Sequence, residues 1–312
     1  MVSVILPAWN EEASVPLAAE ALARVLTKAE INYELIFIDD GSSDGTWAAV
    51  QAAQARDPRV TGVRFSRNFG KEAAMFAGLE LARGDACAVM DCDLQHPPET
   101  LVEMVRLWEQ GYEVVEGVKE RRGRESPLRT AAAGVFYQLI SRAARFDMEN
   151  ASDFKLLDRR VVDALNAMPE RGVFFRALSH WVGFRSVSVS YCVRERTAGE
   201  SKWSLRALIR YAVANLGSFT AAPMQAVTWI GAVFFVFAVV LGCQTLFNLV
   251  SGRALEGFTT VILLLLLSAG LLMLSIGIVG FYLARVYDEV KGRPRYIIAE
   301  LRPGGGPPET DG

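Results

Sequence analysis

Residues 33–46 have the sequence YELIFIDDGSSDGT, an apolar run that ends in acidic and turn-forming residues. The run Tyr33–Ile38 is mostly apolar and does not alternate with polar residues, as expected of a strand buried on both faces of a parallel sheet. Residues Thr46–Arg56 then have a helical pattern. A strand, a turn and a helix in this order form the repeating unit of α/β domains.

The same unit recurs along the first half of the chain. Apolar runs predict further strands at Val2–Pro7, Val60–Phe65, Ala86–Met90 and Glu113–Val118. Helical patterns separate them at Ala18–Lys28, Lys71–Ala82 and Pro98–Gln110. The pattern is less regular afterwards, with a helix predicted at Leu128–Phe146 and strands at Phe154–Leu157 and Phe184–Val193. We therefore predict an α/β fold with a mostly parallel sheet.

The C-terminal part of the chain has a different character. Residues 225–250 and 257–284 contain no Asp, Glu, Lys or Arg. Each stretch exceeds the roughly 20 apolar residues that cross a bilayer core. A short loop joins them, which predicts a two-helix transmembrane hairpin. Basic residues flank both outer ends, so the positive-inside rule places both ends in the cytoplasm of a multi-pass inner (plasma) membrane protein.

The hairpin divides the chain into expected segments. Residues 1–203 form a catalytic domain, 204–222 an amphipathic helix, 223–290 the hairpin and 291–312 a cytoplasmic tail. The helix fits either an ordinary protein surface or the headgroup plane, and its position before a membrane span favours the latter. The tail is rich in Pro and Gly from Arg302 onward, which is typical of disorder. Glycines in the second span permit close helix contact, so we expect a homo-oligomer.

Composition excludes several classes of function. The net charge of −2 provides no basic field for nucleic acid. Only two histidines occur, too few for a His-rich metal cage. The chain has neither a G-x-x-x-x-G-K-[ST] loop nor a G-x-G-x-x-G segment after its first strand, which argues against P-loop and dinucleotide chemistry. The opening residues lack the basic segment of a signal peptide, so we expect a cytoplasmic N-terminal domain.

Acidic residues follow three of the predicted strands. The clusters are Asn10-Glu11-Glu12, Asp39-Asp40 and Asp91-Cys92-Asp93. Each alone has an ordinary explanation, such as a helix cap or a chance D-x-D. Ligands of open α/β sheets bind beyond the carboxyl ends of the strands, so three clusters there indicate a site. Carboxylates repel an anionic substrate unless a hard cation intervenes, which predicts Mg²⁺ or Mn²⁺ on Asp91, Asp93 and Gln95, holding a diphosphate.

In combination, these motifs resemble those of family 2 glycosyltransferases. The closest subgroup is the polyisoprenyl-phosphate glycosyltransferases, which includes dolichol-phosphate mannose synthase and bacterial bactoprenol glucosyltransferases. The matching segments are Val4–Glu12, Ile38–Thr46, Arg67–Glu72, Met90–Glu99, Ser152–Arg159, Arg196–Trp203 and Arg293–Tyr296. The resemblance thus covers nearly the whole chain. Cys92 stands where Ala is usual, at a position that is not a ligand.

The resemblance implies a GT-A fold and a role for each matched position. It implies nucleotide contacts from Pro7, Asn10, Glu12, Asp40 and Asp91, and metal contacts from Asp91, Asp93 and Gln95. Asp153 is expected near the reacting acceptor oxygen. The expected catalytic residues are Asp153 and Asp93. The resemblance also implies phosphate contacts from Arg196, Ser201 and Lys202.

Two further groups of residues leave alternatives open. The basic segment 119–129 fits either a solvated face or capture of a lipid phosphate, with Arg121 and Arg129 as candidate ligands. Lys71 fits a helix start slightly better than a substrate contact. His96 precedes two prolines and is expected to be a packed turn residue rather than a base.

The expected reaction is inverting transfer of a sugar, with UDP-glucose as the first candidate donor, to a polyprenyl phosphate. The partners are therefore a nucleotide sugar, a polyprenyl phosphate lipid and the membrane, and no nucleic acid. One alternative is a processive polysaccharide synthase, although the chain lacks a Q-x-x-R-W signature. The other is a membrane-tethered subunit that binds a nucleotide sugar without turnover.

Overall fold

A computed structural model describes residues 1–120, 152–168, 175–192, 222–251 and 258–305. The chain divides into two compact units. The first comprises Met1–Ser204 together with Pro294–Gly312, and the second comprises Leu205–Arg293. The helix expected at 128–146 lies outside the described residues, and so does the helix expected at 204–222, apart from Ala222.

In its described part, the first unit contains one mixed sheet with helices packed against it. Its strands are β1 (Val2–Ala8), β2 (Tyr33–Asp39), β3 (Val60–Phe65), β4 (Ala86–Val89), β5 (Val114–Lys119), β6 (Lys155–Asp158), β7 (Ser186–Tyr191) and β8 (Ile298–Arg302). Its helices are α1 (Ser14–Lys28), α2 (Thr46–Arg56), α3 (Lys71–Leu81), α4 (Pro98–Glu109), α5 (Arg159–Asn166) and α6 (Phe175–Trp181).

The eight strands lie in the order β7-β5-β6-β4-β1-β2-β3-β8. The β1–β2, β1–β4, β2–β3 and β5–β7 pairs are parallel, and the pairs made by β6 and β8 are antiparallel. The prediction of a mostly parallel α/β sheet is confirmed. Strand β6 occupies Lys155–Asp158, one residue later than expected.

The central strands are buried because helices cover both faces of the sheet. On one face, Val4 and Leu6 of β1 join a core with apolar residues of α1, α2 and α4. On the other face, Ile5 abuts Gly78 of α3, where a Cβ atom would clash with the Ile5 side chain. This two-sided burial explains why β1 and β2 have no polar alternation.

The strand register brings three loops to one edge of the sheet. Ala8 at the end of β1 lies beside Asp39 at the end of β2, and Ile5 lies beside Val89 at the end of β4. The segments that follow these strands therefore leave the sheet on the same side. This is the edge at which ligands of parallel sheets bind.

The C-terminal segment corrects the assignment of 291–312 as a separate tail. Residues Ile298–Arg302 form β8, which pairs antiparallel with β3. Without this strand, β3 would expose a row of unpaired N–H and C=O groups at the sheet edge. The strand was missed because it is short, mostly exposed and adjacent to a Pro/Gly-rich stretch. Residues 306–312 of the predicted disordered tail lie outside the described residues.

Side chains from this segment also reinforce the sheet edge. The ring of Tyr296 stacks on Phe65 with centroids 5.0 Å apart, and its hydroxyl donates to Glu80. Trp47 of α2 donates from Nε1 to Glu300 Oε2 over 3.0 Å. Residues that follow the hairpin in sequence are thus built into the first unit.

The second unit consists, in its described part, of helices α7 (Ala222–Val250) and α8 (Phe258–Val290), which contact each other. Their 29 and 33 residues reach about 43 and 50 Å at the α-helical rise, more than the roughly 30 Å of a bilayer core. The windows Val227–Gln244 and Leu267–Val290 have mean hydropathies of 2.1 and 2.0. Both helices are therefore long and apolar enough to cross a membrane.

The Tyr296–Phe65 stack predicts a measurable contribution to the stability of the first unit. Tyr296→Ala should lower its melting temperature by about 4–8 °C, because it removes the stack and the bond to Glu80. Tyr296→Phe keeps the ring and should lower the melting temperature by less. The control is Ile297→Ala, since that side chain is 53% exposed. Differential scanning fluorimetry of the full chain measures all three, and equal effects of Tyr296→Ala and Ile297→Ala would contradict a packed edge.

Candidate active site

The loops after β1 and β2 bind each other directly. Asn10 donates from its backbone N–H to Ser42 Oγ (2.9 Å), and its Oδ1 accepts from the backbone N–H of Ser43 (2.9 Å). Glu12 Oε2 accepts from the backbone N–H of Gly45 (3.1 Å). A Cβ on Gly45 would lie 2.5 Å from this carboxylate, so the close approach requires glycine. Asn10 and Glu12 thus organise the predicted nucleotide edge, next to Pro7 in β1.

The two aspartates at the end of β2 are buried and have separate partners. Asp39 Oδ1 accepts from the backbone N–H of Ser42 (2.9 Å), and its Oδ2 lies 3.5 Å from Arg64 Nε. The oxygens of Asp40 accept from the backbone N–H groups of Phe69 (2.7 Å) and Gly70 (2.9 Å). Burial raises the pKa of Asp40, and these two amide donors oppose the shift. Asp40 therefore fixes the loop that leads into α3.

Lys71, the first residue of α3, joins two acidic side chains from different segments, one after β4 and one before β6. Its Nζ lies 2.5 Å from Asp91 Oδ1 and 2.9 Å from Asp153 Oδ2. Desolvation by the neighbouring protein atoms alone would lower the pKa of Lys71, but the two carboxylates raise it above its usual value. The residue does start a helix, as expected, and its side chain also lies at the centre of the site. No local sequence pattern signals that second feature, because it depends on tertiary contacts.

Of the two carboxylates that contact Lys71, that of Asp153 is the more buried. Arg176 of α6 binds it through two contacts, Nε to Oδ1 at 2.6 Å and Nη2 to Oδ2 at 2.9 Å. The Asp153 side chain is 9% exposed. Burial alone would raise its pKa, but Arg176 and Lys71 lower it well below the usual range. Asp153 is therefore ionised at neutral pH, and Arg176 is a site residue that the sequence analysis missed.

A buried polar layer supports the Asp153–Arg176 pair. Lys155 is fully buried, with its Nζ 3.0 Å from Glu116 Oε1 and donating to Ser179 Oγ over 2.7 Å. Glu116 also accepts from the backbone N–H of Ser152 over 2.8 Å. These contacts hold the start of β6, which directly follows the Asp153 segment, against α6, which carries Arg176. Charged residues inside an apolar strand are the sequence signal that points to this layer.

Glu72 provides a second tie between α3 and α6. Its Oε2 accepts from the backbone N–H of Phe175 over 2.9 Å. Burial, reinforced by the nearby charge of Asp153, raises the pKa of Glu72 to about 7. The helix that carries Lys71 is thus joined to the helix that carries Arg176.

The loop after β4 presents Asp91 and Asp93. The backbone of Leu94 is left-handed, with φ 56°, and Asp93 Oδ1 accepts from the backbone N–H of Gln95 over 3.1 Å. His96 stacks on Phe154 with ring centroids 4.7 Å apart. Burial lowers the pKa of His96. The prediction that His96 is a packed turn residue is confirmed.

The donor chemistry of this loop fits a hard divalent cation. Among the described residues, no three His, Cys, Asp or Glu side chains form a complete cluster for an ion. Proteins commonly bind Mg²⁺ through one or two carboxylates, with substrate phosphates and water as the other ligands. Asp91 meets that requirement, since its carboxylate is 35% exposed and already faces a cation, the Lys71 ammonium. Metal contacts from Asp91, Asp93 and Gln95 stay predictions.

Five predicted phosphate-binding residues cannot be placed. They are Arg121, Arg129, Arg196, Ser201 and Lys202, and they lie outside the described residues. Their assigned contacts therefore stay predictions.

A pocket of about 230 Å³ lies elsewhere on the sheet, between the ends of β2 and β3 and the edge strand β8. Its lining residues are Gly41, Ser42, Arg64, Phe65, Ser66, Ala299 and Glu300. Neither Asp91 nor Asp153 lines it, so the acidic centre around Lys71 is a distinct place. The pocket adjoins the turn after β2, where nucleotide contacts are expected.

Comparison with known proteins agrees with this arrangement. A sequence profile described as Glycosyl transferase family 2 matches residues 3–164. An uncharacterized glycosyltransferase of Bacillus subtilis (strain 168), YkcC, is 35% identical over 95% of this chain and 92% of its own length. A protein of Shigella phage SfII named bactoprenol glucosyl transferase is 33% identical over 97% of this chain and 99% of its own length.

Among solved structures, the chain resembles glucosyl-3-phosphoglycerate synthase from Mycobacterium tuberculosis in complex with Mn²⁺ and UDP-glucose. The TM-score is 0.50 at 21% identity, over 70% of this chain and 77% of the other. At that identity the likeness concerns the fold, and it confirms the predicted GT-A architecture.

The Asp153–Arg176 pair predicts a defined pH dependence of stability. Arg176→Gln should lower the melting temperature by about 4–8 °C at neutral pH, because it leaves a buried carboxylate short of a partner. An unfolded aspartate titrates near about 3.9, above the lowered folded pKa. The stabilisation is therefore fully present above about pH 4 and is lost as the pH falls below it.

Arg160→Gln is the matched control, since Arg160 pairs with Asp158 and Glu113 but is 68% exposed. It should change the melting temperature by less than about 2 °C. Thermal denaturation of both variants from pH 8 to pH 3 measures the difference. The assignment of Arg176 as the partner of ionised Asp153 would be contradicted if the difference in melting temperature between wild type and Arg176→Gln disappeared already between pH 8 and pH 5.

Proposed function

Because this chain belongs to glycosyltransferase family 2, we propose that it transfers a sugar from a nucleotide diphosphate sugar to a polyprenyl phosphate. The observation that carries the proposal is the convergence of Asp91 and Asp153 on one cationic group. Carboxylates from the segments after β4 and before β6 meet at the edge of the sheet where ligands bind, in a chain that also has two helices of bilayer length. The sheet edge would bind a soluble sugar donor, and the two helices would hold the protein in the membrane that contains the lipid acceptor.

The two apolar helices and the names of the relatives support a polyprenyl phosphate as the acceptor. Bactoprenol is a polyprenyl lipid, and a relative 33% identical over nearly its whole length has the name bactoprenol glucosyl transferase. We infer that this chain is a multi-pass protein of the inner (plasma) membrane, with its catalytic domain on the cytoplasmic face. Assembly into a homo-oligomer through the glycines of α8 is part of the same proposal.

The donor is proposed to be UDP-glucose and the transfer to be inverting. The names of the bactoprenol glucosyl transferases support glucose. Asp91, with Asp93 and Gln95, would hold Mg²⁺ or Mn²⁺. When bound, such an ion stabilises negative charge on the leaving diphosphate. The loop pair around Asn10 and Glu12 would place the nucleotide beside it.

Inverting transfer requires a single displacement at the anomeric carbon. An oxygen of the acceptor phosphate forms the new bond to that carbon, on the face opposite the diphosphate. The bond from the anomeric carbon to the diphosphate oxygen breaks, and its electron pair leaves with the nucleoside diphosphate. A phosphate monoester has a second pKa near about 6, so the acceptor is largely ionised at neutral pH and requires no general base.

Asp153 would then position the cationic groups and the acceptor rather than remove a proton. Both of its oxygens already bind cationic side chains, Arg176 and Lys71. These contacts lower its pKa, which makes it a poor base. Lys71 and Arg176 would in turn present positive charge to the phosphates of the substrates.

This division of roles predicts unequal effects of two substitutions. Asp91→Ala should reduce turnover by at least about 10³-fold, since it removes the ion that supports the leaving group. Asp153→Asn keeps the shape of the side chain and should reduce turnover by about 10–100-fold, with an unchanged pH profile. Asp163→Asn, whose parent carboxylate is 65% exposed on α5, is the matched control and should retain full activity.

The assay uses the full chain in detergent with undecaprenyl phosphate and a panel of nucleotide sugars. Release of nucleoside diphosphate should depend on both the lipid and the divalent ion, and mass spectrometry should identify a polyprenyl-phosphate-hexose. Equal losses for Asp91→Ala and Asp153→Asn at matched melting temperatures would refute the positioning role. Absence of any lipid product with the wild type would refute the proposed function and favour a binding subunit without turnover.

A further inference from the structure

The Lys71 ammonium lies where a divalent ion on Asp91 would have to be accommodated. Its Nζ is 2.5 Å from Asp91 Oδ1, so that oxygen already has a cationic partner. A metal ion on the same carboxylate would approach to about 2.0–2.1 Å for Mg²⁺ and would face the ammonium at close range. Two like charges at such a distance repel strongly in a partly desolvated site. The Lys71–Asp91 pair and a metal ion on Asp91 are therefore competing arrangements.

The exposures of the three side chains show which contact can be exchanged. Asp91 is 35% exposed and Lys71 is 41% exposed, so an ion can reach Asp91 from solvent. Asp153 is only 9% exposed and is already bound by Arg176. Of the two carboxylates that hold Lys71, Asp91 is the one accessible to an incoming ion.

The local backbone allows the lysine side chain to move without moving the helix. Asp40 holds the N–H groups of Phe69 and Gly70, which fixes the segment directly before Lys71. The lysine side chain has a flexible four-carbon stem, and it can stay attached to Asp153 after it leaves Asp91. An exchange at Asp91 therefore needs only a side-chain rearrangement.

We propose that Lys71 is a built-in competitor of the divalent cation for Asp91. This inference rests on the proposed function, since it concerns the metal of that same reaction. Without the ion, Lys71 neutralises Asp91 and keeps Asp91 and Asp153 together. When the ion arrives with the diphosphate donor, Lys71 leaves Asp91 and stays on Asp153. The affinity for the free ion is thereby kept low, so that the ion binds tightly only together with the anionic donor.

Electron paramagnetic resonance of Mn²⁺ tests this directly, because it measures free ion independently of turnover. The full chain in detergent is titrated with Mn²⁺ in the absence of nucleotide. Lys71→Met removes the competing charge and should bind Mn²⁺ at least about tenfold more tightly than the wild type. Lys71→Arg keeps the charge and should behave like the wild type. Lys28→Met, at an exposed lysine of α1, is the matched control and should change nothing.

The double variant Lys71→Met with Asp91→Asn tests whether the Mn²⁺ binds at Asp91. It should lose the additional Mn²⁺ affinity that Lys71→Met gains. Lys71→Gln is a second neutral variant, to be used if Lys71→Met has a lowered melting temperature. Unchanged or weaker Mn²⁺ binding in a folded neutral variant would overturn the inference. If that result is found while the wild type still produces the lipid-linked sugar with its divalent ion, the proposed function stands and only the inference fails. If neither sugar transfer nor Mn²⁺ binding occurs in any variant, both fail.

Discussion

The ion contacts of Lys71 with Asp91 and Asp153 are the interaction on which the rest of the site depends. Asp91 follows the C-terminal end of β4, and Asp153 precedes the N-terminal end of β6. Because these neighbouring strands are antiparallel, both residues lie at the same edge of the sheet. Two like charges in a partly buried place require a compensating cation. The neighbouring elements supply and hold that cation: Asp40 fixes the loop before Lys71, and Arg176 shares the charge of Asp153.

The fold brings these groups together by mixing parallel and antiparallel pairing. Parallel strands β1, β2 and β4 direct their carboxyl ends to one edge, which brings together the loops that follow them. Antiparallel β6 enters the sheet beside β4, so the residue before it, Asp153, comes to the same edge. The far side of the sheet is closed by β8, which follows the two apolar helices in sequence. The catalytic unit thus includes residues from both sides of the hairpin.

Much of this architecture could be predicted from the sequence, and the omissions have physical causes. Strands such as β2 and loops such as Asp91–Asp93 have strong local signals, because a doubly buried strand is apolar throughout and its acidic turn follows directly. Arg176 has no comparable signal, since it meets Asp153 only when α6 packs against β6. Lys71 could be recognised as a helix start, but its bridging contact depends on two distant loops. Strand β8 owes its conformation to the free edge of β3 rather than to its own sequence.

The most direct test is to locate the ion in the structure of the full chain with Mn²⁺ and a nucleoside diphosphate. Anomalous scattering at the manganese edge identifies the metal independently of the protein. We expect a single peak coordinated by Asp91, with Lys71 bound to Asp153 alone. Manganese bound away from Asp91, or Lys71 still bound to Asp91 when the metal is present, would contradict the view that one carboxylate serves two cations in turn.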